Sequence, residues 1–380
     1  MPASRTSERC ISSPVRVLFA GGGTGGHVFP ALAIADEVRR LRPQAGILFV
    51  GTKNKIEAKV VPQHGYAFST IWISGFRRSL RPGNLMFPLK LVVAMVQAFQ
   101  IIKKFRPDVV IGTGGYVSGP VLRVATMLGV PTLIQEQNSY PGVTTRLLAR
   151  RVNEVHLTFE SSKQHFKYQD NLVVTGNPVR GEIGNATRND GLKYFGFEES
   201  SSALTILVTG GSLGAHTLNE AVRANMESFQ QLGVRLIWQT GNEDFSGAQL
   251  ATAEMDSTIV LVQPFIDKMD LAYAASDIVV CRAGATTIAE LTRLGKPAIL
   301  VPYPHAAANH QGENASSMVK NGAAIVVEDG KVKEELMSAI ASLAGEPVRA
   351  EMSSRSRQLG KPDAARRIAE RIVVLAERGV

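Results

Sequence analysis

VRVLFAGGGTGGHVFPALAIA, residues 15–35, reads as three elements in one line. Val15–Ala20 is a short apolar run of β type. Gly21–Gly26 places five glycines in six positions, and apolar residues then recur at helical spacing from about Pro30 to Leu41. Strand, glycine turn and helix in that order open a βαβ unit.

The plan continues outward. Ile47–Val50, Val109–Gly112, Thr132–Gln135, Glu154–Thr158 and Leu172–Thr175 are expected strands, and Val109–Gly112 runs into a second glycine turn, Thr113-Gly114-Gly115. The second half starts afresh: Leu204–Thr209 leads into Gly210–Ala215 (GGSLGA) and a helix. Arg235–Gln239, Ile259–Val262, Ile278–Cys281 and Ala298–Val301 follow as strands. The pattern predicts an α/β protein of two Rossmann-like parallel-sheet domains. Asn177-Pro178 interrupts any element, which puts the boundary near Gly176–Arg180. The expected division is a disordered polar leader over 1–14, a first domain over 15–176, a second over 177–362, and a terminal helix within 363–380 whose partner domain the pattern does not reveal.

Composition agrees. A chain of 380 residues with 44% hydrophobic and 20% charged residues can bury a full core, and two domains suit its length. Two cysteines, Cys10 and Cys281, exclude a disulfide scaffold. The net charge of +9 is unevenly placed: 22 basic against 9 acidic residues up to Gly176, then 20 against 24. The first half is therefore expected to meet something anionic, a lipid surface or nucleic acid. Leu85–Ile102 is too interrupted, by Pro88, Lys90, Gln97 and Gln100, for a spanning helix. It reads as a buried helix or an interfacial one, and the flanking Arg77, Arg78, Arg81, Lys103, Lys104 and Arg106 favour the interface.

Gly21, Gly23 and Gly26 match the dinucleotide fingerprint, which also wants an acid at the end of the second strand. That strand ends Phe49-Val50-Gly51-Thr52-Lys53, so NAD is disfavoured and NADP barely survives. The turns at Gly21–Gly26, Gly112–Gly115, Gly210–Gly214 and Cys281–Ala285 each offer helix N-terminal N–H groups. One such turn merely permits a tight bend. Four in two domains point to phosphorylated ligands in a cleft between them. His27, directly after the first turn, is placed for general-base or oxyanion work. Gln135-Glu136-Gln137-Asn138 sits at a strand's C-terminal end, where open α/β sheets bind ligands. No G-x-x-x-x-G-K-[ST] is present, which argues against a P-loop NTPase. No Asp-x-Asp occurs, so no metal is expected on a nucleotide diphosphate, and no cofactor is expected. Aromatic stacking platforms are missing, which speaks against nucleic acid.

Taken together, GGGTGGHVFPALAIA (21–35), ISGFRR (73–78), IGTGGYVSGP (111–120), QEQNSYPG (135–142), GNPVR (176–180), GGSLGA (210–215), CRAGATTIAE (281–290) and HQGENA (310–315) resemble the MurG family, the undecaprenyldiphospho-muramoylpentapeptide β-N-acetylglucosaminyltransferases. The resemblance spans nearly the whole chain after Val15. It implies a GT-B fold and inverting transfer of GlcNAc from UDP-GlcNAc to the C4 hydroxyl of MurNAc in lipid I, giving lipid II and UDP. The place it implies is the cytoplasmic side of the inner membrane, peripherally bound, with other cell-wall synthesis proteins as possible partners. The alternatives are another GT-B glycosyltransferase or a UDP-sugar epimerase.

By position, the resemblance assigns Thr24, Gly25, Gly26 and Asn138 to the donor sugar and diphosphate, with Arg180 and Ser212 beside them. Ile266 is assigned to uracil through its backbone. Ala285, Thr286, Thr287, Ile288 and Ala289 are assigned to phosphate at a helix N-terminus, Glu290 to the ribose diol and Gln311 to GlcNAc hydroxyls. His27 is the leading base and Glu136 a weaker one. Gly114, Gly115, Tyr116 and Ser118 are expected to cradle the acceptor diphosphate, and Arg77, Arg78, Arg81, Leu85 and Phe87 to dock on anionic lipid. The chain departs from the family pattern at Gln135, where a His is usual, and at Ala283, where a Ser is usual.

Overall fold

The computed structural model describes residues 14–75, 86–199, 202–256, 258–306 and 309–378. The expected leader, apart from Pro14, and the docking residues Arg77, Arg78, Arg81 and Leu85 lie outside the described residues. The chain divides into two compact units. The first comprises 1–137, 141–178 and 363–380, and the second comprises 138–140 and 179–362.

The first unit is built on seven strands: β1 (Arg16–Gly21), β2 (Gly46–Gly51), β3 (Ala67–Thr70), β4 (Val109–Gly114), β5 (Thr132–Glu136), β6 (Glu154–Leu157) and β7 (Leu172–Val174). They form one parallel sheet in the order β3-β2-β1-β4-β5-β6-β7. The strand order reverses between β1 and β4, which creates the switch point where such sheets bind ligands. Alternation decides which face each side chain covers. Val17, Phe19, Ile47, Phe49, Val109 and Ile111 enter one core, and Leu18, Ala20, Leu48, Val50 and Val110 the other. Both faces are buried, as a parallel sheet requires.

The helix Ala364–Arg378 packs in this first unit, against the helix Gly25–Leu41. Ile368, Ala369, Ile372, Leu375 and Ala376 lie in the same core as Val17 and Phe19. The strand β3, which the sequence pattern did not signal, is an edge strand of half-exposed residues, Ala67-Phe68-Ser69-Thr70.

The second unit repeats the plan with β8 (Thr205–Thr209), β9 (Arg235–Gln239), β10 (Val260–Gln263), β11 (Ile278–Cys281), β12 (Ala298–Leu300) and β13 (Ile325–Val326), all parallel, in the order β10-β9-β8-β11-β12-β13. Its switch point lies between β8 and β11. Ile206, Val208, Trp238 and Val280 fill one face, and Leu207, Ile237, Val279 and Cys281 the other. Burial first, then Glu290, pushes the Cys281 thiol up to about 12, so it is an inert part of this core. The two-residue β13 was also missed, and it too is an edge strand.

The helix Phe87–Phe105 combines both readings of its sequence. Ala94, Ala98 and Ile102 are buried, while Leu89, Val92, Val96 and Phe99 form an exposed apolar stripe at spacings of three and four. Phe87 opens this helix and is half-buried. No helix among the described residues is long and apolar enough to cross a membrane.

Candidate functional site

In the first unit the predicted residues gather at the C-terminal ends of β1, β4 and β5, which are neighbours in the sheet. Thr24 precedes the helix Gly25–Leu41 in extended conformation, and Thr24 and Gly26 are exposed. His27, half-buried in the first turn of that helix, has its Nδ1 2.9 Å from Gln137 Oε1. Its ring lies against Gly114. A Cβ there would stand 2.5 Å from Nδ1, and Gly114 has φ +106°, so the position demands glycine.

The first glycine turn is braced by an acid that the sequence pattern did not reveal. Glu57, buried, accepts from Gly23 N–H (2.9 Å), Thr52 N–H (3.0 Å) and the Thr52 hydroxyl (2.7 Å). An acid does therefore stand just beyond the second strand, but its acceptor positions are filled by the protein. The Gly23 amide is likewise taken, and a carboxylate under the turn disfavours a phosphate there.

Two residues assigned on this unit bond within the protein. Ser118 is buried, and its hydroxyl donates to the Ala20 and Gly114 carbonyls (2.7 and 2.8 Å) and accepts from Gly114 N–H (3.0 Å). It ties β1 to the second turn. Glu136 is buried too, and its Oε2 accepts from Gly142 N–H (3.1 Å) and the Thr145 hydroxyl (2.6 Å). That carboxylate braces the loop that follows β5. Tyr116 is exposed, with its ring packed over Gly75, and Gly115 lies against the Gly22 carbonyl.

In the second unit the predicted residues follow β8, β10, β11 and β12. Ser212 is exposed in the turn after β8, where Gly211 N–H donates to the Thr209 hydroxyl (3.1 Å) and Gly214 N–H to the Gly211 carbonyl (3.0 Å). The helix Ala285–Leu294 starts directly behind Gly284, and its first turn carries Thr286, Thr287 and Ile288, followed by Ala289. With no acid in that turn, its positive end faces no internal anion on its own element. Glu290 is buried and accepts from the Tyr273 hydroxyl (2.9 Å), with Arg180 Nη2 3.9 Å away. Burial raises its carboxyl above the ordinary range, and Arg180 and Tyr273 pull against that rise. Arg180 also pairs with Glu182 at 2.8 Å. Gln311 Oε1 accepts from Tyr303 N–H (2.9 Å), which turns its amide nitrogen toward other partners.

Gln239 is the organising residue that sequence reasoning missed. Buried at the end of β9, it donates from Nε2 to the Thr209 hydroxyl (3.0 Å) and the Gly211 carbonyl (2.9 Å). Its Oε1 accepts from Ile266 N–H (2.9 Å). The Ile266 amide is thereby engaged within the protein. Asn138 also departs from its expected domain. Asn138–Tyr140 cluster with the second unit, where Ser139 N–H donates to Asn314 Oδ1 at 3.4 Å.

The profile of the glycosyltransferase family 28 N-terminal domain matches residues 17–157, and that of the family 28 C-terminal domain matches 205–368. The UDP-N-acetylglucosamine–N-acetylmuramyl-(pentapeptide) pyrophosphoryl-undecaprenol N-acetylglucosamine transferase of Christiangramia forsetii is 43% identical over 331 residues, covering 87% of this chain and 88% of the relative. The enzyme of the same name from Chlorobaculum parvum is 44% identical over 370 residues, covering 96% and 100%. Among solved structures, Acinetobacter baumannii MurG superposes with a TM-score of 0.73 at 30% identity, covering 95% of this chain and 100% of that one.

Proposed function

The chain belongs to glycosyltransferase family 28, and from that premise we infer that it transfers N-acetylglucosamine from UDP-N-acetylglucosamine to undecaprenyl-pyrophosphoryl N-acetylmuramyl-pentapeptide in peptidoglycan synthesis. The observation that carries this reading is the likeness to transferases of that name, 43–44% identical over 87% and 96% of this chain.

The finer chemistry is our proposal. The first unit supplies the base. His27 takes the proton of the C4 hydroxyl of MurNAc as that oxygen bonds to the anomeric carbon, with inversion. The bond from that carbon to the diphosphate oxygen breaks, and its electron pair leaves with UDP. The second unit supplies the stabilisation. The amides of the turn around Ser212, the N-terminus of the helix Ala285–Leu294 and Arg180 meet the departing charge. The Ile266 carbonyl meets uracil, Glu290 the ribose diol, and Gln311 and Asn138 the sugar.

We also propose that the helix Phe87–Phe105 rests on anionic lipid at the cytoplasmic face of the inner membrane. Leu89, Val92, Val96 and Phe99 would enter the lipid. Lys90, whose ammonium lies 5.5 Å from the ring of the exposed Trp72, and Lys103, 5.7 Å from that of Phe99, would meet headgroups. An apolar stripe flanked by lysines suits a membrane surface better than water.

The test is a transfer assay with labelled UDP-GlcNAc and a short-chain lipid I analogue in EDTA. The expected result is stoichiometric UDP and β-linked disaccharide. Binding of UDP-GlcNAc without transfer to that analogue would overturn the acceptor, and product only after metal is restored would overturn the side-chain account of the diphosphate.

A further inference from the structure

Behind His27 lies a chain of buried amides whose orientation is dictated from its far end. Gln135 Nε2 donates to Asn177 Oδ1 at 3.2 Å, which turns Gln135 Oε1 toward Gln137 Nε2, and the two are in hydrogen-bond contact. Gln137 Nε2 donates as well to the backbone carbonyls of Thr113 (2.8 Å) and Gln135 (3.1 Å). Carbonyl oxygens only accept, so the NH₂ end of Gln137 is fixed on that side. Its Oε1 must then face His27, at 2.9 Å from Nδ1. Gln135 and Gln137 are both almost fully buried, so water does not compete for these contacts.

We propose that Gln137 is a positioning residue, held by Gln135 and the backbone carbonyl of Thr113, that keeps the neutral His27 imidazole protonated on Nδ1 so that the Nε2 lone pair receives the acceptor hydroxyl proton. An amide oxygen can only accept, so the proton on this contact belongs to Nδ1, and in a neutral ring the other nitrogen is then the acceptor. Gly114 completes the arrangement, because the absent side chain lets the ring lie flat in this setting. A carboxylate partner would hold the imidazolium that forms on proton transfer. A neutral amide orients the ring with less hold on that charge, so the histidine gives its proton up readily once UDP has left.

This inference rests on the reading of His27 as the base, and the experiment separates the two. The whole protein is labelled with imidazole-¹⁵N histidine. With seven histidines in the chain, the His27 pair is identified as the signals missing from His27→Gln. Long-range proton–nitrogen correlation above the imidazole pKa should show Nδ1 protonated and Nε2 bare. In Gln137→Met, similar in shape but without the amide, the population should move toward Nε2–H. Turnover should fall about 10²-fold, within the range general bases contribute, with KM for UDP-GlcNAc unchanged. A purely structural role for Gln137 would lower stability and leave the tautomer in place. Nε2–H in the unaltered protein, or an unmoved tautomer in Gln137→Met, overturns the proposal. The unaltered protein decides the first point even if the variant fails to fold. Full turnover in His27→Gln would remove the base itself, whatever the tautomer.

Discussion

The two units open with the same words, strand, glycine turn and helix, but what lies beneath the turns differs. In the first unit Gly23 N–H is held by the Glu57 carboxylate and Gly114 N–H by the Ser118 hydroxyl. In the second, Gly211 N–H goes to the Thr209 hydroxyl and Gly214 N–H to a carbonyl of its own turn. A buried carboxylate under one turn and a neutral brace under the other suit the second turn better to the diphosphate that we propose it holds. Each unit also uses a buried glutamine at a strand's end. Gln137 presents a side chain, His27, whereas Gln239 fixes a backbone, the turn around Gly211 and the amide of Ile266. Under the proposed function, the shared plan serves proton transfer in one unit and anion binding in the other.

The largest effect should separate those tasks. His27→Ala is expected to lower turnover by about 10²–10⁴-fold, the contribution of a positioned base. Titration with UDP-GlcNAc should show affinity within twofold of the unaltered protein. Loss of nucleotide binding in this variant would break the division of labour.

Gln239→Leu is the converse. It leaves the buried Ile266 amide without its acceptor, which costs about 1–3 kcal/mol, and removes one of the two donors to the Gly211 carbonyl. Much of that would appear as weaker UDP binding, about 10–100-fold at ~1.4 kcal/mol per factor of ten. Calorimetric titration with UDP checks it. Unchanged affinity would mean that the turn holds its shape without Gln239.

Glu57→Gln probes the brace under the first turn. One oxygen becomes an NH₂ facing either Gly23 N–H or the Thr52 donors, so two donors meet. The expected loss is about 1–3 kcal/mol of stability, which is about 2–12 °C in melting temperature for a unit of this size. UDP affinity should hold. A rise in UDP affinity would show that the first turn, freed of its carboxylate, does bind phosphate.

What was legible in the sequence was local. Strands such as Thr205–Thr209 announce themselves because burial on both faces requires continuous apolar residues. Ala67–Thr70 and Ile325–Val326 do not, since the first has no fully buried residue and the second is only two residues long. In the site, the turns and His27 were readable because their meaning lies in neighbouring residues. Their braces were not. Glu57 stands 34 residues from Gly23 and Gln137 stands 110 from His27, and no periodicity links such pairs. The partners of Ser118 and Glu136, the Ala20 carbonyl and the Thr145 hydroxyl, were hidden for the same reason.

The smallest effect concerns the helix Ala364–Arg378, which the chain returns to the first unit. Two ion pairs hold it there besides its apolar face. Arg42 and Glu377 meet at 2.7 Å, both well exposed, and such a pair contributes little. Glu154 is different. Burial alone would raise its carboxyl, but hydrogen bonds with His156 (3.0 Å) and Arg371, whose Nε lies 3.2 Å away, hold it down at about 2. Its ordinary value is 4.5, so the folded state prefers the charged form. That preference stabilises the fold fully above pH 4.5 and is lost as pH falls from there toward 2. Hydrogen exchange in the helix should therefore quicken in wild-type protein between pH 5 and about 3, after correction for the intrinsic rate. Glu154→Gln should show the quicker exchange at pH 6 already and little further change on acidification, while Arg42→Ala should leave both unaltered. If the Arg42 variant loosened the helix as much as the Glu154 variant, the surface pair would be the true clasp and burial would count for less here than its geometry implies.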